Sequence, residues 1–486
     1  MTEFENLIIG STFFAVGFAL RNKNSLIIDK ASRLGYEYTD SFDNSFYKAE
    51  VFSKPAMDLL NEFEEREIIS DTHKPVIAAY PSVLSKIVID NNLNILFRTV
   101  IVGVEKDASY YYVKLFNANG LKTVKCKNII DTTSRNFSKK SLNAVVLANK
   151  ASETENESFE LVSGENDNVM YLKYFVANDD DFQTARKELY TFLRNELKDV
   201  KLAQTAYEFE YYYDKINITS SDYYKNPVKS FDAGFNYNEN EEFCFDEEIV
   251  EEEYDVVVCG LGTAGSVCLV NSAENNLKTL GLETEAMIGG TQTAGQVLGY
   301  YYGAEGGKFE EIDAKVYKNK VFAPANTIFP ERILPDAKVE VLENEAEIYG
   351  ADLKYKAYVY DVIKKDNRVV GLKYLYNNKL YVVKCKYVVD ATGEADICYL
   401  AGADTLRGRK SDAKVQPFSI CTLKMNSDNV ESYYCDNGYI NPNSVEEYTN
   451  TLLNTYVQKM FLKEKYDNRS YFSVIAPMPG MREGRY

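Results

Sequence analysis

Two stretches of the chain carry the same hydrophobic and polar punctuation. Tyr254-Asp-Val-Val-Val-Cys259 is a short β-branched apolar run, the pattern of a strand buried on both faces of a parallel sheet. Gly260-Leu-Gly262-Thr-Ala-Gly265 follows at once, and Ser266 to Asn275 reads as a helix with Val267, Cys268, Val270 and Ala273 available to face the sheet. A second strand, Thr279 to Leu282, ends at Glu283. Earlier, Asn6 to Ile9 predicts a strand, Gly10-Ser-Thr12-Phe-Phe-Ala15 stands where the glycines would be, and Ser25 to Ile28 predicts a strand ending at Asp29. The apolar run Leu7 to Leu20 is thus read as strand, turn and helix. Glu3 and Glu5 precede it where a signal peptide would carry basic residues, and it is too short to span a bilayer.

The likeness continues downstream. Gly35 lies six residues after Asp29, and Gly289 lies six residues after Glu283. Val124-Lys-Cys126-Lys-Asn-Ile-Ile-Asp131-Thr-Thr133 parallels Val383-Lys-Cys385-Lys-Tyr-Val-Val-Asp390-Ala-Thr392. Four landmarks therefore recur in order at offsets of 250 to 259 residues, which predicts a tandem duplication. The competing reading is that unrelated strand–helix–strand units resemble one another; the shared Lys-Cys-Lys argues against it. The expected division is a first half over residues 1–223, an acidic linker over 224–253 and a second half over 254–486. The linker assignment rests on Asn-Tyr-Asn-Glu-Asn-Glu-Glu and Asp-Glu-Glu-Ile-Val-Glu-Glu-Glu, whose like charges repel and bury little. Each half is expected to carry an inserted α+β subdomain. One spans about 150–223, with a helix from Asp181 to Asp199. The other spans about 403–476, with a strand Pro417 to Leu423 and a helix near Ser444 to Lys463.

Composition narrows the function. The chain has 486 residues and is 45% hydrophobic, enough for two or three cores. A net charge of −18 repels phosphate backbones, and the densest basic stretch is only Arg407-Gly408-Arg409-Lys410, so no nucleic-acid partner is expected. Eight scattered cysteines and a single histidine offer no zinc spacing, and no metal site is expected. Free thiols fit a reducing, cytoplasmic setting. No membrane partner is expected, and a homo-oligomer is left open.

Strand, glycine turn, helix, strand and acid stand in the order of the dinucleotide fingerprint. Gly260 allows the tight turn, Gly262 lets backbone approach a pyrophosphate, and Gly265 lets helix and strand pack closely. The helix N-terminus would face the phosphates, and Glu283, 23 residues after Gly260, would accept from the adenosine ribose. Gly289, Gly290 and Thr291, within a loop of three glycines, and Ala391, Thr392 and Gly393, at the end of a buried strand, would lie along the cofactor. Asp396 either caps the next helix or bonds locally. In the first half Thr12 and Ala15 replace glycines, and a Thr side chain would crowd a pyrophosphate. A degenerate structural copy is expected there, with a second nucleotide as the alternative. Catalytic candidates are few. His73 reads as a surface-loop residue, Tyr300-Tyr301-Tyr302 as core packing or a face towards the cofactor ring, and Cys259 as buried filler without a CxxC partner.

The fingerprint, the Gly289-Gly290-Thr291 loop and Asp390-Ala-Thr-Gly-Glu-Ala-Asp396 together resemble the FAD-dependent oxidoreductase family, over residues of about 250 to 486. The resemblance implies an α/β, Rossmann-like FAD-binding fold of the glutathione reductase and fumarate reductase kind, here in two tandem copies. It implies FAD as cofactor and hydride transfer with a small-molecule substrate. Gly480-Met-Arg482-Glu-Gly-Arg485 matches a family element, and by resemblance Arg482 and Arg485 would lie near the flavin or an anionic substrate. The resemblance also implies a further C-terminal portion, so the chain is expected to be truncated relative to the family. The alternatives are a non-catalytic or incomplete nucleotide-binding scaffold or sensor, and NAD in place of FAD.

Overall fold

In the computed structural model the repeat is visible strand by strand. The structure describes residues 2–46, 50–69, 74–133, 137–148, 153–165, 169–212, 226–238, 242–298, 306–316, 318, 322, 334–425, 429–459 and 474–481. The first half opens with β1 (Thr2–Ile9), α1 (Phe13–Arg21), β2 (Ser25–Ile28), the short α2 (Tyr36–Thr39), α3 (Lys54–Glu65) and α4 (Tyr80–Asp90). Then come β3 (Asn94–Leu96), β4 (Val100–Lys106), β5 (Tyr111–Asn117) and β6 (Gly120–Asp131). These form one six-stranded sheet in the order β3-β2-β1-β6-β5-β4. Strands β3, β2, β1 and β6 run parallel, and β6, β5 and β4 form an antiparallel meander.

The second half repeats this sheet with β13 (Ile249–Cys259), β14 (Thr279–Leu282), β15 (Asp352–Lys354), β16 (Tyr358–Lys365), β17 (Arg368–Tyr376) and β18 (Lys379–Asp390), ordered β15-β14-β13-β18-β17-β16. Even the register irregularity recurs, between Ile101 and Gly103 in one meander and Val359 and Asp361 in the other.

The insertions repeat as well. In the first, β7 (Lys139–Ala148) pairs with β10 (Met170–Val176), β11 (Val200–Thr205) and β12 (Glu210–Tyr212). A hairpin of β8 (Thr154–Glu155) and β9 (Phe159–Ser163) adds to its edge, and α5 (Phe182–Asn195) precedes β11. In the second, β19 (Gln416–Met425) pairs in the same way with β20 (Val430–Ile440), β21 (Val474–Ile475) and β22 (Gly480–Met481), and α11 (Val445–Lys459) holds the place of α5. The remaining helices are α6 (Pro227–Asn236), α7 (Thr263–Glu274), α8 (Lys308–Val316), α9 (Pro335–Tyr349) and α10 (Asp396–Leu400).

Each insertion packs on the opposite half. From α5, Arg186 reaches Glu343 of α9 and the Ala286 carbonyl (2.7 Å), and the Tyr190 hydroxyl donates to Asp336 (2.8 Å). From α11, the Tyr456 carbonyl accepts from Ser82 of α4 (3.0 Å), and the Thr449 hydroxyl accepts from the Phe97 amide beside β3 (3.0 Å). The main core accordingly runs through both halves, joining Ile8, Phe13 and Ile27 to Val256, Val258 and Leu269. The second face of each sheet has its own cluster, with Leu7, Leu26 and Ile28 in one and Val257, Cys259 and Leu280 in the other. Burial on both faces explains the unbroken apolar runs of the central strands.

The stretch read as an acidic linker contains two packed elements. Asn226 caps α6 and Pro227 starts it, as expected of a helix N-terminus. The helix lies so close to α1 that a Cβ on Gly17 would fall 2.1 Å from the Phe231 carbonyl oxygen. Strand β13 begins at Ile249, five residues before the expected start, because its acids meet cations from other strands of the sheet: Glu252 bonds Lys354 of β15 (2.5 Å) and Glu251 approaches Lys384 of the adjacent β18 (3.4 Å). Alternation with lysines removes the like-charge repulsion on which the linker reading rested.

Candidate functional site

The glycine turn of the second half is built as its spacing implies. Gly260 holds φ +81°, and a Cβ there would lie 2.8 Å from the Ala391 carbonyl oxygen. Gly265 packs against the Gly260 carbonyl, and Gly262 faces Gly290 backbone to backbone. The Gly289 amide donates to the Leu261 carbonyl (2.7 Å), which seats the second glycine loop on the first. The end of β18 completes the wall: the Ala391 amide donates to Cys259 (2.9 Å), and Asp390 holds the turn by accepting from the Thr392 hydroxyl (2.6 Å) and the Cys398 amide (2.8 Å). Asp390 thus supplies the carboxylate for the first turn of α10, where Asp396 was one of two readings. Gly260, Gly262, Gly265, Gly289, Gly290, Thr291, Ala391, Thr392 and Gly393 therefore meet at the carboxyl ends of β13 and β18, where ligands bind in open α/β sheets.

Glu283 closes the same end. Its carboxylate accepts from the Leu261 amide (2.7 Å) and the Glu285 amide (3.0 Å), and it is buried. Burial raises its carboxyl above the ordinary range, and those hydrogen bonds oppose the shift. Lys338 of α9, distant in sequence, donates to Gln292 in the glycine loop and to Asp313 (3.2 Å). Burial lowers its ammonium from the usual lysine range.

The two copies differ at the helix N-terminus. Helix α7 starts at Gly262 with no side-chain cap, so its first amides are left to a ligand. In α1, the Thr12 hydroxyl takes the Ala15 amide (3.1 Å), and Glu37 takes the Phe13 amide (2.8 Å). A carboxyl group of the chain's own thus takes up an amide at the start of α1. Glu37 was not foreseen, because it lies beyond the fingerprint and no spacing rule names it. Burial pushes its carboxyl up to about 8, and its Oε2 is buried without a hydrogen-bond partner. Otherwise the turn is the same: Asp29 accepts from Ser11 and Ala31, and Gly35 donates to the Ser11 carbonyl (2.8 Å). A cavity of about 600 Å³ opens there, lined by Gly10, Asp29, Glu37, Asp131 and Thr132 and reached by Lys356 of the second half.

Arg482, Arg485, His73 and Tyr300 to Tyr302 lie outside the described residues. Cys259 is a buried free thiol, and burial raises it. Among the described residues no group of three or more His, Cys, Asp or Glu is placed to hold a metal ion, and no helix is long and apolar enough to cross a membrane.

The start of α7 is thus open where the start of α1 is closed by Thr12 and Glu37. Digeranylgeranylglycerophospholipid reductase 1 of Methanococcoides burtonii is 27% identical over 173 residues, 32% of this chain and 42% of that protein. The 1H-pyrrole-2-carbonyl-[peptidyl-carrier protein] brominase of Pseudoalteromonas luteoviolacea is 30% identical over 161 residues, 29% of this chain and 38% of that protein. The chain thus spans less than half the length of either relative. A geranylgeranyl bacteriochlorophyll reductase-like protein of Thermoplasma acidophilum, of known structure, shares 21% identity over 37% of this chain and 50% of that one, with a TM-score of 0.25. The model of the FAD dependent oxidoreductase family matches residues 255–485, nearly all of the second half of this chain, and supports FAD as its cofactor.

Proposed function

We propose that the second half holds one FAD per chain in the cleft at the ends of β13, β14 and β18, and that the protein transfers hydride between this flavin and a small organic substrate. On this reading residues 254–486 form the flavin unit, with the substrate-side insertion near 403–476, and residues 1–223 form a partner unit that holds no nucleotide. The observation that carries the reading is the contrast between the uncapped start of α7 and the closed start of α1.

Gly260, Gly262 and Gly265 give the diphosphate room against the first amides of α7. Glu283 exchanges its amide donors for the ribose hydroxyls. Gly289, Gly290, Thr291, Ala391, Thr392 and Gly393 line the length of the cofactor. Bound FAD supplies the hydride chemistry, and the chain's residues bind and orient it and keep water from the cleft. Arg482 and Arg485 are assigned to the flavin or an anionic substrate on family resemblance. The relatives named above are a lipid reductase and a brominase, so they support the flavin and leave the substrate at the level of a small organic molecule. Free cysteines support a reducing compartment.

The test is the absorption spectrum of the purified chain, with chromatographic identification of the released cofactor. Flavin bands and one FAD per chain are expected. A colourless chain that takes up no FAD removes the reading, and two FAD per chain removes the assignment of the first half.

A further inference from the structure

The repeat places one basic residue of each half at the same turn. Arg98 follows β3, where its amide donates to the Ala31 carbonyl (3.2 Å) and the next amide, Thr99, donates to Asp29 (2.8 Å). Lys356 follows β15, where its amide donates to the Glu285 carbonyl (3.2 Å) and the next amide, Ala357, donates to Glu283 (2.9 Å). Both hold a left-handed backbone, at φ +49° and +55°, which a long side chain seldom adopts. The turn is therefore a shared feature of both copies.

Lys356 belongs to the second half yet lines the cavity of the first, beside Asp29 and Thr132. The same relation carried through the repeat puts Arg98, of the first half, in the cleft of the second. Its electrostatic surroundings agree. Burial works against its charge, but Tyr448, Asp396, Glu394 and Glu285, all of the second half, outweigh it and raise its hold on the proton. Its guanidinium stands 5.4 Å from the centre of the Tyr448 ring. A guanidinium, with its planar fork of donors, is suited to a phosphate.

We propose that Arg98 binds the diphosphate of the nucleotide in the second half, so that the first half completes the flavin site. This rests on the flavin reading above. A diphosphate entering beside Glu283, Glu285, Glu394 and Asp396 meets like charge, and the start of α7 offers only the partial charge of its amides. Arg98 supplies the full positive charge. The cavity of the first half, where Glu37 closes the start of α1, is met instead by Lys356 of the second half, a point charge without the two-pronged geometry of arginine.

The experiment titrates the flavin-free full chain with FAD, ADP and adenosine and compares parent, R98Q, R98K and K356Q. R98Q is expected to weaken FAD and ADP by about ten- to a hundredfold, the loss of one charge-assisted phosphate contact, and to leave adenosine unchanged. R98K is expected between parent and R98Q, and K356Q is expected to match the parent. R98Q binding ADP within twofold of the parent, or weakening adenosine as much as ADP, overturns the proposal; the second result would mark a purely structural residue. A parent that binds neither FAD nor ADP removes the flavin reading itself, a result distinct from a parent that binds both and an R98Q that binds equally well.

Discussion

Two glycines of the fingerprint, three residues apart, should fail for different reasons when changed to alanine. At Gly262 the nearest neighbour of an added Cβ is the Gly290 Cα at 4.0 Å, an ordinary contact. The backbone there, φ −68° and ψ −160°, suits alanine. Gly262→Ala should therefore change the stability of the flavin-free chain by no more than about 1 kcal/mol, or about 3 °C in Tm. The methyl group would project into the space assigned to the diphosphate. FAD affinity should then fall at least about a hundredfold, close to 2.7 kcal/mol. At Gly265 an added Cβ would lie 1.9 Å from the Gly260 carbonyl oxygen, so helix and strand must part. Gly265→Ala should lose about 3 kcal/mol or more before any ligand is considered. Thermal unfolding of the flavin-free variants separates the two, and flavin-fluorescence titration of Gly262→Ala reads the ligand effect. If Gly262→Ala binds FAD as the parent does, the space beside Gly262 does not hold the diphosphate. If it unfolds as early as Gly265→Ala, Gly262 serves the fold alone.

Two further variants probe the first half and the joint between halves. Burial raises the Glu37 carboxyl to about 8 from an ordinary 4.5, so folding favours its neutral form. Its contribution is then complete below about pH 4.5 and is lost as pH rises towards 8, at about 1.4 kcal/mol per pH unit. Glu37→Gln should flatten that part of the stability profile between pH 5.5 and 8 in urea unfolding, and equal slopes for parent and variant would sink this account. Asp336, fully buried, accepts from the Thr205 amide (2.8 Å) and hydroxyl, from Gln204 (2.7 Å) and from Tyr190 (2.8 Å), tying the first insertion to the second half. Asp336→Ala leaves those donors unmet and should cost about 3 to 5 kcal/mol, seen as a Tm lower by several degrees. A fall within about 2 °C would mean that water replaces the carboxylate.

Much of the architecture was legible in local pattern. Apolar runs bounded by glycine turns marked β1, β2, β13 and β14 because strands covered on both faces need continuous apolar side chains. The Lys-Cys-Lys repeat marked β6 and β18 as equivalent. That the glycines, Glu283 and the Ala391 to Gly393 turn meet at the strand ends was readable because a tight strand-to-helix turn imposes small residues at fixed short spacing. The acidic stretch was misread in part because charge repulsion was counted along one strand, whereas the lysines that neutralise it, Lys354 and Lys384, come from other strands of the same sheet.

What the chain alone determined is thus everything with a short period: strands, turns, the repeat and the flavin fingerprint. The tertiary structure decided whatever depends on residues far apart meeting in space. It set Glu37 against the start of α1, laid Lys338 on the glycine loop, crossed each insertion onto the opposite half and brought Arg98 towards the acids of the second half. Hydrogen bonds and charges act over a few ångströms of space, and sequence distance puts no bound on which residues fall within that reach.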